Sequence, residues 1–296
     1  MAFTSRNSPL RYPGGKGVIG GFLESIIESN NLKGCDYFEL YAGGAGAALY
    51  LLLNDVVKNI HLNDADIHIY AFWHSVLHHP EEIIKRIEET PVTMEEWHKN
   101  REIYASPESF DLISLGFSTF FLNRTNRSGI LAKAGPIGGL EQTGNYLIDA
   151  RYNKKNLIKR IEIIANKKNN ITISNSDSLE YLNNNRESLE QNNTFLYLDP
   201  PYYNKGKNLY LNFYTHEDHQ NLAYYLLNFR NANWLVSYDN TPQIVDLYGD
   251  LPKASFDLKY TLQDKKDGKE LLVFSDSLIL PETITLSKKE KALLYL

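Results

Sequence analysis

The chain has 296 residues, 43% hydrophobic and 23% charged, which excludes wholesale disorder and suits one large α/β domain or one domain carrying a sizeable insertion. Its single cysteine, Cys35, excludes a disulfide framework and a cysteine-built zinc site and suits a reducing cytoplasm. The formal charge of −5 gives no global basic signature, yet residues 1–23 hold Arg6, Arg11 and Lys16 without an acid, and residues 150–170 carry a local net of +6. Apolar runs such as Ala47–Leu53 are too short to span a bilayer, and residues 1–20 lack the apolar core of a signal peptide, so a soluble intracellular protein is expected.

In chain order, Tyr37–Tyr41 reads as a short strand ending at glycines, and Ala47–Leu53 as the helix after the turn. Lys58–Leu62 reads as a second strand, followed by Asn63-Asp64-Ala65-Asp66. Helical spacing of apolar residues predicts one helix over 67–89, then helices over 94–104 and 107–123. Glycine and polar residues mark 124–152 as loop, and helix resumes over 153–168. Ile171–Ser174 and Thr194–Leu198 read as strands that lead to Asp177 and Asp199, and a helix over 216–230 leads to a strand Trp234–Tyr238. Residues 254–275 alternate like a hairpin turning at Asp267-Gly268. Strands alternating with helices predict a parallel sheet with crossovers. Residues 70–155 interrupt that alternation as a helical second domain, leaving 1–69 and 156–280 as one discontinuous domain and 281–296 as a solvated tail.

Open parallel sheets bind ligands at the carboxyl ends of their strands. Asp64, Asp177 and Asp199 follow three of these strands. A fourth leads into Tyr41-Ala42-Gly43-Gly44-Ala45-Gly46, whose small residues let a ligand approach the backbone beside the N–H groups of a helix start. Asp64 lies about 20 residues beyond that turn, where a carboxylate commonly holds ribose hydroxyls. This half reads as a site for a nucleoside-containing cofactor, with tight strand-to-helix packing as the plainer alternative.

Asp199-Pro200-Pro201-Tyr202 is the strongest signal. Two prolines after a buried strand stop the ladder and stiffen the loop. The Asp199 carboxylate and the Pro200 carbonyl can accept hydrogen bonds from one amino group, and Tyr202 offers a flat face to a planar base. An aromatic amine is a poor nucleophile because its lone pair is delocalised into the ring. Two fixed acceptors favour the form whose lone pair is available, and Asp199 stabilises positive charge growing on nitrogen. His74, His78 and His79 have no acidic or cysteine ligand placed with them and read as surface or core histidines, so no metal is expected. Tyr203, Tyr210 and Tyr214 follow the loop as base-pocket lining or as core.

Taken in order over about residues 8–275, these segments resemble the Dam-type DNA adenine-N6 methyltransferases. Arg11-Tyr12-Pro13-Gly14-Gly15-Lys16 resembles the N-terminal motif, Glu39–Gly46 the S-adenosylmethionine loop and Asp199–Tyr202 the catalytic tetrapeptide. Leu122-Asn123-Arg124 with Ser128-Gly129-Ile130 resembles the start of a DNA-reading hairpin near 124–150, followed by Arg151-Tyr152-Asn153-Lys154. Tyr41 stands where the family usually has Phe, Ala45 where it has the last glycine of the cofactor loop, and residues 124–129 differ from the Dam pattern in length and content.

The resemblance implies a Rossmann-like methyltransferase sheet, α/β in class, with 70–155 as its helical target-recognition domain. It implies S-adenosylmethionine as cofactor, with Tyr12 and Lys16 at its methionine end, Asp64 at the ribose, Asp177 at the adenine, and Glu39, Tyr41, Gly43, Gly44 and Asp199 also in contact. It implies a catalytic set of Asp199, Pro200, Pro201 and Tyr202, which hold and stack the target base. It implies double-stranded DNA as partner, contacted by Arg11, Arg124, Asn126, Arg127, Arg151, Tyr152, Lys154 and Lys155, with no membrane and no obligatory protein partner, in a bacterial or phage cytoplasm and at the nucleoid through DNA. The implied reaction is in-line methyl transfer to the amino group of an adenine flipped out of the duplex. A cytosine amine, RNA adenine or a protein glutamine amide as substrate, a non-catalytic DNA-binding scaffold and a nicotinamide oxidoreductase are the alternatives. Asp199 speaks for adenine and the helical insertion at 70–155 for duplex DNA, the intact tetrapeptide with Lys16 speaks against the scaffold, and the missing Gly-x-Gly-x-x-Gly spacing against the oxidoreductase.

Overall fold

The continuous apolar runs of the sequence form the middle of one sheet and are covered on both faces. The structure, a computed structural model, describes residues 8–11, 19–204, 214–259, 267–281, 284–287 and 290–295. Its strands are β1 (Asp36–Glu39), β2 (Asn59–Asn63), β3 (Ile171–Ser174), β4 (Thr194–Leu198), β5 (Trp234–Asp239), β6 (Lys253–Lys259), β7 (Asp267–Phe274), β8 (Ile284–Ser287) and β9 (Glu290–Tyr295). They lie in the order β3-β2-β1-β4-β5-β7-β6-β9-β8. The first five pair in parallel, as crossover connections require, and β7 enters antiparallel between β5 and β6. The chain runs outward from β1 through β2 to β3, then returns to β4 beside β1. That reversal is the switch point at which ligands of such sheets bind. This is the Rossmann-like α/β sheet expected from the sequence.

Every residue of β4 and β5 is buried, the pattern of strands covered on both faces. Tyr37, Phe195, Tyr197 and Leu235 face a core shared with α1 (Gly20–Ser29), α2 (Gly46–Leu53) and α3 (Ile67–His78). The segment between β2 and β3 continues from α3 through α4 (Pro80–Glu89), α5 (Met94–Ala105), α6 (Leu112–Thr125) and α7 (Lys154–Ala165). Phe38, Leu196, Leu198, Trp234 and Val236 face a second core with α8 (Ser178–Asn184), α9 (Arg186–Leu189), α10 (His216–Leu227) and α11 (Pro242–Leu247). No helix among the described residues is long and apolar enough to cross a membrane.

Four expectations are corrected. The helix expected over 67–89 is two helices, because Pro80 cannot continue the ladder and pushes His79 out of helical geometry (φ −135°). The hairpin expected near 124–150 is a looped segment with a single bridge between Asn126 and Pro136. Asp267 and Gly268 are not a turn but pair within β7 opposite Lys259 and Leu258. The expected C-terminal tail carries β8 and β9, because the outer edge of β6 pairs with β9 and so extends the sheet.

Candidate active site

The turn between β1 and α2 is fixed by residues from the end of β2 and from α3. Gly43 and Ala45 both take left-handed backbone (φ 46° and 47°). Glycine adopts this freely, whereas Ala45 does so at a cost of roughly 1 kcal/mol. The Gly43 N–H donates to Asp64 Oδ2 at 2.8 Å, and Trp73 Nε1 of α3 donates to the Gly43 carbonyl at 2.9 Å. The Ala42 N–H donates to the Asn63 carbonyl at 3.0 Å. The Asn63 side chain, fully buried, donates to the Ser176 carbonyl at 2.9 Å and so joins the ends of β2 and β3. Sequence reasoning missed Asn63 and Trp73. Asn63 had a signal, its place just before Asp64, but Trp73 showed only as one more apolar helical position.

The acids after these strands differ in environment. Glu39 is 3% exposed and accepts from the Tyr37 hydroxyl and the Ala48 N–H, both at 3.1 Å. Burial, aided by Asp199 and Asp64, pushes its carboxyl up to about 8 against those two hydrogen bonds. Burial and the neighbouring Asp66 push the partly exposed Asp64 up to about 7. Asp177 is exposed and caps α8, accepting from the N–H groups of Leu179 and Glu180. Next to it, the hydroxyls of Ser178, Tyr41 and Tyr214 form a closed triad at 2.7–2.8 Å. Tyr214 thereby ties the chain that follows the tetrapeptide to the glycine turn. Tyr12, Lys16 and Tyr210 lie outside the described residues.

The tetrapeptide leaves β4 into a prearranged cradle. Tyr197 and Ser237 hydroxyls meet at 2.8 Å, and Ser237 Oγ donates to Asp199 Oδ1 at 2.7 Å, which fixes one carboxylate oxygen. Pro200 is buried, and the Tyr202 ring, 7% exposed, is anchored by its hydroxyl donating to the buried Glu270 of β7. Asp239, at the end of β5, accepts from the N–H groups of Tyr203 at 2.8 Å and Asn204 at 3.1 Å, clamping the turn after Pro201 and Tyr202. Ser237, Asp239 and Glu270 were not singled out from sequence, although Asp239 follows its strand as the other acids follow theirs. Cys35 is buried, with its thiol pushed up to about 12 by that burial and by Asp36, so it is no nucleophile at neutral pH.

The residues expected to touch DNA separate into two groups. Arg127, Arg151 and Lys155 are exposed. Arg124 is buried, its guanidinium donating to the Pro9 carbonyl, and burial, with Arg160 and Arg11 nearby, lowers its pKa to about 9. Asn126 is fully buried, accepts from Trp97 Nε1 at 2.8 Å and donates to the Ile130 carbonyl at 2.8 Å. Tyr152 packs its ring on Phe120 and Phe121. Lys154 donates to the Glu88 and Thr90 carbonyls, both at 2.7 Å, and so caps α4. These four are turned inward, against the expectation of base or phosphate contacts, because Arg124, Asn126 and Lys154 each complete a buried or terminal polar group of the scaffold and the Tyr152 ring fills the apolar core. Arg11 is intermediate. Asn123 brackets its backbone with two hydrogen bonds (2.6 and 2.7 Å), and its Nη1 donates to the Asn126 carbonyl at 3.2 Å. Gly129 is required there, since a Cβ would lie 2.5 Å from the Arg11 carbonyl oxygen. The Asn123-Arg124…Gly129 pattern therefore docks the segment before Tyr12 onto α6.

Residues 12–262 match the family model described as D12 class N6 adenine-specific DNA methyltransferase. No curated protein matches the chain.

Proposed function

The chain belongs to the D12 class N6 adenine-specific DNA methyltransferase family, and from that premise we propose that it transfers a methyl group from S-adenosylmethionine to an adenine flipped out of duplex DNA. The observation that carries the proposal is the Asp199 carboxylate, oriented by Ser237 at the β1–β4 switch point beside two further carboxyls, Glu39 and Asp64.

The donor set fits the cofactor. Burial, with Asp199 and Asp64 beside Glu39 and Asp66 beside Asp64, holds Glu39 and Asp64 above the ordinary carboxylate range, and such a set gains from a cationic ligand. S-adenosylmethionine carries a sulfonium, an ammonium and a ribose diol. Glu39 and Asp64 supply the counter-charge, Asp64 the ribose acceptors, Tyr41, Gly43 and Gly44 the close approach, and Asp177 the adenine contact. When bound, the cofactor supplies an electrophilic methyl group on a cationic sulfur.

The protein supplies the rest. Asp199 and the Pro200 carbonyl accept hydrogen bonds from the adenine amino group and turn its lone pair toward the methyl group. Asp199 then stabilises the positive charge on nitrogen, and the proton leaves to Asp199 or to solvent. Tyr202, anchored by Glu270, forms the wall on which the extruded base stacks, and Pro200 and Pro201 stiffen that wall. Arg127, Arg151 and Lys155 face outward for phosphate and base edges, while Arg11, Arg124, Asn126, Tyr152 and Lys154 hold the recognition segment in shape.

Site specificity is tested by incubating the protein with unmethylated genomic DNA and S-adenosylmethionine and mapping methylated adenines by single-molecule sequencing. Methylation confined to one short motif supports the reading. Methylation of most adenines removes the base-reading role of Arg127.

A further inference from the structure

Tyr41 stands where the Dam-type enzymes usually have phenylalanine, so its hydroxyl is a group that the usual residue lacks. That hydroxyl meets Ser178 Oγ at 2.7 Å and Tyr214 Oη at 2.8 Å, and the latter two meet each other at 2.8 Å. Three hydroxyls carry three protons, one for each contact, so the ring closes with every proton used and each oxygen accepting once. Burial raises both phenols above their ordinary range, so they stay protonated at neutral pH and no charge disturbs the ring.

The three partners belong to parts of the molecule that the reaction must bring together. Tyr41 precedes the glycine turn that Asp64 holds, and Ser178 follows Asp177, the residue assigned above to the cofactor adenine, at the start of α8. Tyr214 precedes Thr215, the cap of α10. Its ring packs edge-on against Tyr41, with centroids 6.1 Å apart, and against His219 of α10 at 5.3 Å. His219 is fully buried and neither of its nitrogens is hydrogen-bonded among the described residues, so it enters this contact through its ring. The same ring packs on Tyr203 at 5.3 Å. Tyr203 adjoins the Tyr202 wall, and its N–H is held by Asp239 at 2.8 Å. A continuous chain of contacts thus runs from the glycine turn through Tyr214 and His219 to the residue beside the tetrapeptide. We propose that Tyr214 is a positioning residue, held by the hydroxyls of Tyr41 and Ser178, that couples the cofactor site to the target-base site, so that a filled cofactor site steadies Tyr203 and the Tyr202 wall for the extruded adenine. The inference rests on the reading of the protein as an S-adenosylmethionine-dependent adenine methyltransferase. No covalent step is involved.

The test is a binding cycle on a duplex carrying the mapped target motif, with and without sinefungin, a cofactor analogue that bears an amine in place of the sulfonium methyl and cannot transfer it. The wild type is compared with Tyr214→Phe, Tyr41→Phe and Ser178→Ala. Sinefungin is expected to tighten duplex binding by the wild type at least about tenfold, and the duplex to tighten sinefungin binding by the same factor. Tyr214→Phe keeps the ring and loses both hydrogen bonds of its hydroxyl, so the tightening should fall to within about twofold while affinity for sinefungin alone changes by less than about threefold. Tyr41→Phe and Ser178→Ala each leave Tyr214 one hydrogen bond and should retain an intermediate factor, which keeps the test decisive if Tyr214→Phe unfolds early on heating. Equal tightening in all four proteins overturns the coupling and leaves the methyltransferase reading intact. So does a wild type that methylates adenine yet binds sinefungin and duplex independently. A Tyr214→Phe loss confined to the affinity for sinefungin alone reassigns Tyr214 to direct cofactor contact and overturns the coupling. A wild type that fails to bind sinefungin, or fails to bind DNA, overturns both.

Discussion

Cofactor binding should expel protons, and the amount follows from two carboxyls. Glu39 is raised to about 8 and Asp64 to about 7, both chiefly by burial. At pH 7.5 these values leave roughly three-quarters of a proton on Glu39 and a quarter on Asp64, about one in all. A cationic ligand returns both groups toward their ordinary range, so binding at pH 7.5 should release about one proton and at pH 6.5 nearer two. Affinity should then weaken by about tenfold as pH falls from 8 to 7 and by about fiftyfold from 7 to 6. The stability of the ligand-free protein runs the other way. With folded-state values above the unfolded ones, stability is greatest below the unfolded values and is lost as pH rises through 7 to 8. Titration calorimetry of S-adenosylmethionine in phosphate and in Tris at pH 7.5 reads the release as a difference in heat. Glu39→Gln should cut it to about a quarter of a proton, the share of Asp64. Equal heats in both buffers, with an affinity flat from pH 6 to 8, would refute the placement of a cation among these acids.

Ser237→Ala removes the hydrogen bond that orients Asp199, so kcat should drop about tenfold while KM for DNA holds; an unchanged kcat dismisses Ser237 as a positioning residue. Gly116→Ala would place a Cβ 2.4 Å from the Ala71 carbonyl oxygen and 2.5 Å from Ser75 Oγ. It should force α3 and α6 apart and cost about 2 kcal/mol in denaturant unfolding, whereas a neutral result would mean that this contact yields freely. Arg124→Ala should destabilise by about 2 kcal/mol without changing the target motif, and Arg151→Ala should leave stability alone while lowering the salt slope of DNA affinity by about 1. A changed motif in the Arg124 variant would return that residue to base reading.

Much of this architecture was legible because it rests on local patterns. The apolar runs at 37–41, 194–198 and 234–238 fixed the central strands, and the acids and glycines that follow them marked the carboxyl edge. What escaped lies in contacts between distant elements. Ser237 and Asp239 support Asp199 and its loop from the neighbouring strand, and no periodicity distinguishes a buried serine that orients a carboxylate from one that merely fills space. Trp73 pins the glycine turn through one indole hydrogen bond that its apolar spacing conceals. The segment expected to read DNA misled in the opposite sense. Arg124 and Asn126 have the chemistry of base readers, yet Pro9 and Trp97 consume it inside the fold. The cations that face outward have no different sequence signal from the lysine that caps α4.

The central claim is that Asp199 drives methyl transfer to the adenine amino group of DNA. Its most direct test is mass spectrometry of nucleosides from duplex DNA incubated with S-adenosylmethionine and either the wild-type protein or Asp199→Ala. The account predicts N6-methyldeoxyadenosine with the wild type and a loss of at least about a thousandfold with a variant that still binds DNA and cofactor. Methylated cytosine in place of adenine, or undiminished methyladenine from the variant, would contradict it.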